Sequence, residues 1–165
     1  MADADPYWDF YVNHAPSNPD NQINNAIRAW NEGSVFPVKK DVHSPDVMSR
    51  HVKELVRFFG GDAAAIARLP EGHEYPFAIV CAQRSDYDTR TALGHGGQAA
   101  VQQALFVTFN LAATIREMGY RATAKLQDNA DRVAAAVGLP PLKPFTHVEL
   151  VHTDLPLAAD AEVAV

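Results

Sequence analysis

The 165-residue chain has a single cysteine, Cys81. A lone thiol cannot close an internal disulfide, nor can it hold an iron–sulfur cluster of the usual four-thiolate kind. Metal-binding spacing is missing too. The seven histidines fall in no His-Glu-x-x-His, and no Cys-x-x-Cys exists, so no metal site is expected. Basic charge is in the minority, with 14 Lys and Arg against 20 Asp and Glu, a net charge of −6. With no basic stripe to neutralise phosphates, a nucleic-acid partner is not expected. No charged-then-apolar leader opens the chain and no apolar run is long enough to span a bilayer. The expectation is therefore a cytoplasmic protein with no membrane partner. Repeats and low-complexity segments are absent as well.

What is present is an ordinary globular composition, 47% apolar and 21% charged, in a length that suits one domain with one core. The organising stretch is residues 94–125, GHGGQAAVQQALFVTFNLAATIREMGYRATAK. Between Ala104 and Ile115 it has three polar residues, Thr108, Asn110 and Thr114, and no charge. A helix apolar nearly all round is buried on most sides, so residues 98–118 are expected to form the central helix of the fold. The expected fold class is α/β, a mixed sheet flanked by helices around that helix.

The division expected along the chain is an N-terminal arm and short helix over residues 1–43, a main domain over 44–160 and a tail over 161–165. The arm clusters Tyr7, Trp8, Phe10 and Tyr11 ahead of Pro16, Asn18 and Pro19. Rings this dense are expected to dock on the domain itself or on a partner subunit. Residues 20–31 read as a short helix with Ile23, Ala26, Ile27 and Trp30 at helical spacing. Ser44-Pro45 is a helix start, a serine N-cap followed by proline at the first helical position. Met48, Val52, Leu55, Val56 and Phe59 then recur at steps of three and four until Gly60-Gly61 ends the helix. Residues 62–69 are ambiguous, since their alanines favour helix while a buried strand fits equally well. The clearest strand covers residues 76–83, PFAIVCAQ, a continuous apolar run up to Ala82. Residues 84–97 form a polar loop. Further strands are expected over 121–125 and 146–152, with a short helix over 129–137 ended by Gly138, and residues 153–165 read as an extended tail.

Several segments together resemble the cobalamin-dependent reductive dehalogenases. SPDVMSRHVKELVRFFGGDAAAIARL is similar to the family's helix ending at glycine before a first strand, and YPFAIVCAQRSDYD to the next strand. AATIREMGYRATAK resembles the end of the family's long helix, and VHTDLPLAAD its Thr-Asp-Leu-Pro-Leu segment, here Thr153 to Leu157. The shared order runs over residues 44–160. The family, with epoxyqueuosine reductase as a relative, places cobalamin in a nitroreductase-like domain whose central helix often lies at a dimer interface. The resemblance thus implies a nitroreductase-like fold and a homodimer or heteromeric subunit. The chain departs from the family in three respects. It has no cysteine-rich module, and the connection VAAAVGLPPLKPFTH is compressed where the family has a longer glycine-rich, cofactor-holding stretch. The tyrosine proposed as the family's proton donor has no counterpart in Ala100-Val101-Gln102-Gln103. The expectation is a domain using cobalamin or FMN, without an iron–sulfur cluster, that is not a self-sufficient dehalogenase. The alternative is a non-catalytic relative that dimerises or serves a larger complex.

Candidate chemistry concentrates before the central helix. Gly94, His95, Gly96 and Gly97 precede its N-terminus, where free amides and the positive dipole end suit a phosphate or carboxylate of a cofactor. The loop lacks the P-loop lysine, and a plain turn is the competing reading. Tyr87, between Asp86 and Asp88 after the clearest strand, is the candidate catalytic proton donor, set against a packing tyrosine. Arg121, beyond the helix, is a candidate for contacting a cofactor phosphate, set against a plain surface charge. Arg116 reads as a surface charge, Tyr120 as structural, and Cys81 as a small apolar residue in a buried strand.

Overall fold

A computed structural model describes residues 5–15 and 21–164. Pro16, Asn18, Pro19 and Asp20 of the expected arm and helix start lie outside the described residues. The elements are α1 (Pro6–Asn13), α2 (Gln22–Arg28), α3 (Pro45–Phe58), β1 (Ala63–Arg68), β2 (Phe77–Ser85), α4 (Ala99–Glu117), β3 (Ala122–Thr123), α5 (Ala130–Ala136), β4 (Phe145–Thr153) and β5 (Ala161–Glu162). The fold is mixed α/β, as expected. The strands form one sheet in the order β3-β4-β2-β1-β5, antiparallel except for the parallel β1–β5 pair. No described helix is long and apolar enough to cross a membrane.

Strand β2 lies in the middle and is buried on both faces over Phe77 to Ala82, which is why that run is apolar without alternation. Phe77, Ile79 and Cys81 face the layer made by α3 and α4, where Val52, Val56, Val107, Leu111 and Ile115 form the main core. Ala78 and Val80 face the other way, onto Tyr75, Leu150 and Val133 of α5. Helix α3 starts where the sequence places it, with the Ser44 hydroxyl accepting from the Val47 amide at 3.3 Å. It ends as expected at Gly60, with φ of 110°. The three polar residues in the apolar centre of α4 are satisfied locally. Thr108 donates to the Ala104 carbonyl and Thr114 to the Asn110 carbonyl, so neither needs a tertiary partner.

The structure resolves one ambiguity and corrects four expectations. Within residues 62–69, Ala63–Arg68 form strand β1, paired with β2 over its whole length, so tertiary pairing overrides the helix propensity of the alanines. The strand expected over 121–125 shrinks to two residues, because the Ala124 amide donates to Glu32 and the Lys125 amide to Thr123. The extended tail is part of the fold. Leu155 and Leu157 are buried, Asp160 accepts from the Ile66 amide at 2.8 Å, and β5 lengthens the sheet edge. The second helix stops short of the expected residue 31, α2 ending at Arg28 before Trp30, and of its residues only Asn24 and Ile27 are buried while Ile23 is exposed. Arg116 is buried, not at the surface. It donates to Glu32 at 3.2 Å and to the Ala122 carbonyl at 2.9 Å, an ion pair tying the linker before α3 to the end of α4.

Candidate functional site

The sheet end where Ser85 of β2 pairs with Phe145 of β4 lies beside the N-terminal end of α4. A cleft of about 620 Å³ opens there, walled by the loop after β2, the start of α4, α5 and the proline-rich connection into β4. Its apolar wall includes Val101, Ala130, Leu142 and Phe145, and its floor carries His147 and Glu149.

Glu149 sits opposite Cys81 in the β2–β4 pair, on the strand face turned to α4. Its side chain is 2% exposed. A carboxylate in that position must be paired, and two donors meet it. Arg28 of α2 donates from both terminal nitrogens, at 2.7 and 3.4 Å. His147 donates from Nε2 at 2.9 Å. Burial alone would push the Glu149 carboxyl up, but the bonds from His147 and Arg28 outweigh it and hold the group below the usual glutamate range. Because Nε2 gives its proton to a carboxylate, Nδ1 of a neutral His147 is an acceptor, and it faces the Thr89 hydroxyl at 3.4 Å. The result is a hydroxyl–imidazole–carboxylate–guanidinium chain lining an open cleft.

The glycine loop is shaped by the chain's own arm. The Gly94 amide donates to the Val12 carbonyl and the Gly96 amide to the Tyr11 carbonyl, both at 2.8 Å. A Cβ on Gly94 would come within 2.4 Å of the Tyr11 oxygen, and one on Gly97 within 2.5 Å of the Val12 oxygen. Here glycine is required by the close approach of α1. Trp8 of the same arm donates from its indole to the Tyr87 hydroxyl at 2.8 Å. The arm therefore docks on its own domain, one of the two options its aromatic content raised.

Among the candidates from sequence, the structure brings Tyr87 and Gly96 to one depression of about 250 Å³ beside Ala99 and Ala100. His95 turns away to Asn21, with its Nδ1 3.0 Å from the amide nitrogen. Arg121 lies beyond the other end of α4, a helix of 19 residues and so about 28 Å long. It pairs there with Asp154 at 3.1 Å and stacks on Tyr75. Tyr120 is buried, its hydroxyl donating to the Lys40 carbonyl at 2.6 Å. Cys81 is buried, and its thiol is pushed up, chiefly by desolvation and then by Glu149. No group of three or more His, Cys, Asp or Glu able to hold a metal occurs among the described residues. Sequence reasoning did not single out Arg28, His147 and Glu149. A usable signal was present, a glutamate on one face of the strand THVELVH whose other face carries Val148 and Leu150.

No family model matches the chain, and no curated protein sequence does. Solved structures do. The catabolic reductive dehalogenase NpRdhA, N-terminally tagged and in complex with 3-bromo-4-hydroxybenzoic acid, superposes with a TM-score of 0.71 at 20% identity over 93% of this chain and 26% of that one. Another N-terminally tagged NpRdhA structure gives 0.67 at 20% identity, over 87% and 24%. A reductive dehalogenase structure described as suggesting a mechanism for B12-dependent dehalogenation gives 0.66 at 19%, over 93% and 27%. The chain thus spans about a quarter of the length of these enzymes. Over that quarter, it has the fold of the reductive dehalogenases that its sequence segments resemble.

Proposed function

We propose that the chain is a reductive-dehalogenase-like domain that binds a small organic ligand or cofactor in the cleft beside the start of α4, and that it acts as a subunit rather than as a self-sufficient dehalogenase. The observation that carries this reading is the open cleft of about 620 Å³ in a chain of this fold. Its size falls in the range of roughly 300–1,000 Å³ usual for small-molecule pockets. A flavin ring matches that volume, with Val101, Ala130, Leu142 and Phe145 offering an apolar face. A complete cobalamin is larger than a drug-sized ligand, so part of the corrin would lie outside the cleft, against solvent or a partner. A corrinoid or flavin bound there would supply the redox chemistry.

The residues of the chain supply binding and proton handling. Tyr87 receives a hydrogen bond from Trp8 and so keeps its own O–H free to donate, which suits a proton donor. Two amides of the loop formed by Gly94, His95, Gly96 and Gly97 are spent on α1, so phosphate capture there requires the arm to lift. Arg121, at the far end of α4, is too distant to join the same ligand. Cys81 is enclosed in the sheet with its thiol kept protonated, so these residues hold no electron relay and electrons must arrive from elsewhere.

The subunit reading rests on exposed aromatic surface. Trp30 and Phe106 are 46% and 40% exposed and meet edge-on along α4, an apolar patch of the kind that partners cover. Titration with FMN and with hydroxocobalamin, followed by absorbance and fluorescence, tests the ligand. Saturable spectral change with a dissociation constant of about micromolar is expected. If a folded sample binds neither, the cofactor reading falls and the non-catalytic, dimerising relative stands in its place.

A further inference from the structure

We propose that His147 is a proton-accepting group at the floor of the cleft, fixed by Glu149 and Arg28, for a ligand carrying a weakly acidic hydroxyl or N–H such as a phenol, an enol or a cyclic imide. The proposal takes the cleft as a ligand site, as argued above, and adds the chemistry that the ligand must present.

The buried carboxylate of Glu149 is a cost that the fold does not require. Strand β4 would pair with β2 equally well with an apolar residue at position 149, and replacing buried ion pairs by apolar side chains is often neutral or stabilising. Instead the strand carries a carboxylate 2% exposed, met by an arginine from α2, 121 residues away in sequence. What this arrangement achieves is the orientation of one imidazole. Glu149 accepts a hydrogen bond from Nε2–H of His147, which fixes the tautomer and turns the Nδ1 lone pair outward. Outward is the cleft, where the side chain of His147 is 20% exposed. The only described contact of Nδ1 is the Thr89 hydroxyl at 3.4 Å, long enough for a better donor to displace.

The step is a single proton transfer. The ligand O–H or N–H bond breaks as Nδ1–H forms, leaving a phenolate or its equivalent beside an imidazolium whose Nε2–H remains hydrogen-bonded to the Glu149 carboxylate. Glu149 stabilises that imidazolium and Arg28 balances Glu149, so the pair formed with the ligand is neutral as a whole. Other charges facing the cleft come from three elements. Asp88 and Arg90 of the loop after β2 neutralise each other at 3.1 Å, Asp131 comes from α5, and Lys143 from the connection before β4. Asp131 favours the imidazolium and Lys143 the phenolate. Thr89, released by the ligand, remains within reach to donate to the new anion. Glu149 and Arg28 are positioning residues in this scheme, since neither has to touch the ligand.

The test uses 4-nitrophenol, whose anion is yellow and whose neutral form is not. In buffer one pH unit below the free phenol's own midpoint, the intact chain is expected to bind it and bring up the phenolate band. His147→Gln keeps a polar side chain of similar size and is expected to weaken that signal at least ten-fold with the thermal midpoint little changed. Glu149→Gln is expected to move the pH at which the bound phenol ionises upward, because the imidazolium loses its carboxylate. Absence of the band with the intact chain, or an equal band with His147→Gln, overturns the proposal. If FMN or hydroxocobalamin binds while 4-nitrophenol does not, this inference fails and the cofactor reading survives.

Discussion

The buried Glu149 makes an asymmetric prediction. Changing Arg28 to Met removes the main counter-charge of a carboxylate that is 2% exposed, leaving one bond from His147. Breaking a buried pair from one side costs about 3–5 kcal/mol. The lower end applies here, about 3 kcal/mol, because His147 remains and Arg28 itself is 40% exposed. Changing Glu149 to Leu removes the buried charge and lets Arg28 turn to water, so it should cost far less, about 1 kcal/mol. The pH dependence separates this account from simple lost packing. The folded-state carboxyl lies below its ordinary value, so its contribution is full at neutral pH and is lost only as acid drives pH down through the folded value. Without Arg28, burial dominates and the carboxyl moves up. Protonation then relieves the uncompensated charge, and the deficit of Arg28→Met should shrink in mildly acidic buffer. Urea midpoints measured at neutral and at mildly acidic pH read this directly. At neutral pH a loss of about 3 kcal/mol corresponds to roughly 6–12 °C in melting temperature for a chain of this size. If the two single variants are equally destabilised, or if the Arg28→Met deficit does not depend on pH, the charge argument is wrong.

Gly94→Ala places a Cβ 2.4 Å from the Tyr11 oxygen, so α1 should undock at a cost of about 1–3 kcal/mol, seen as faster proteolysis of the arm, while Gly33→Ala, with nothing within 4 Å, should have no such effect. His152 is buried, and desolvation first, then His73, lowers it to about 4. Stability should therefore fall as pH drops from the ordinary histidine range of about 6.5 toward about 4, a slope that His152→Gln should flatten in thermal melts across pH. Cys81 should resist thiol reagents in the native chain and react fully after unfolding, since its thiol is enclosed and kept protonated, and rapid native labelling would contradict the structure. With a chemical reductant, added cobalamin and a halogenated phenol, halide release should not exceed that of free cobalamin, and a clear excess would show that the chain needs no further module.

Much of the fold was legible because its signals are local. The Ser44-Pro45 start of α3, the apolar centre of α4 and the unbroken run of β2 each state their structure within about ten residues. Expectations failed where order comes from distant partners. Residues 153–165 read as a tail because nothing local says that Leu155 and Leu157 enter the core or that Asp160 accepts from the Ile66 amide of β1. Arg116 read as a surface charge because its partner, Glu32, is 84 residues earlier.

The candidate site divides along the same line. Tyr87 and Gly96 bracket one loop, so chain proximity brings them together, whereas α4 carries Arg121 to the opposite end. Alternation along THVELVH places Glu149 on the face opposite Val148 and Leu150. A strand in the middle of a layered sheet has no solvent on that face, so a charge there demands a partner from another element. Sequence can pose that demand but cannot name the answer. Which cation arrives depends on where α2 lands against α4, through Ile27, Val101 and Leu105, and only that packing delivers Arg28 to Glu149. The orientation of His147, and with it the chemistry of the cleft, follows from a tertiary contact between weakly specified segments.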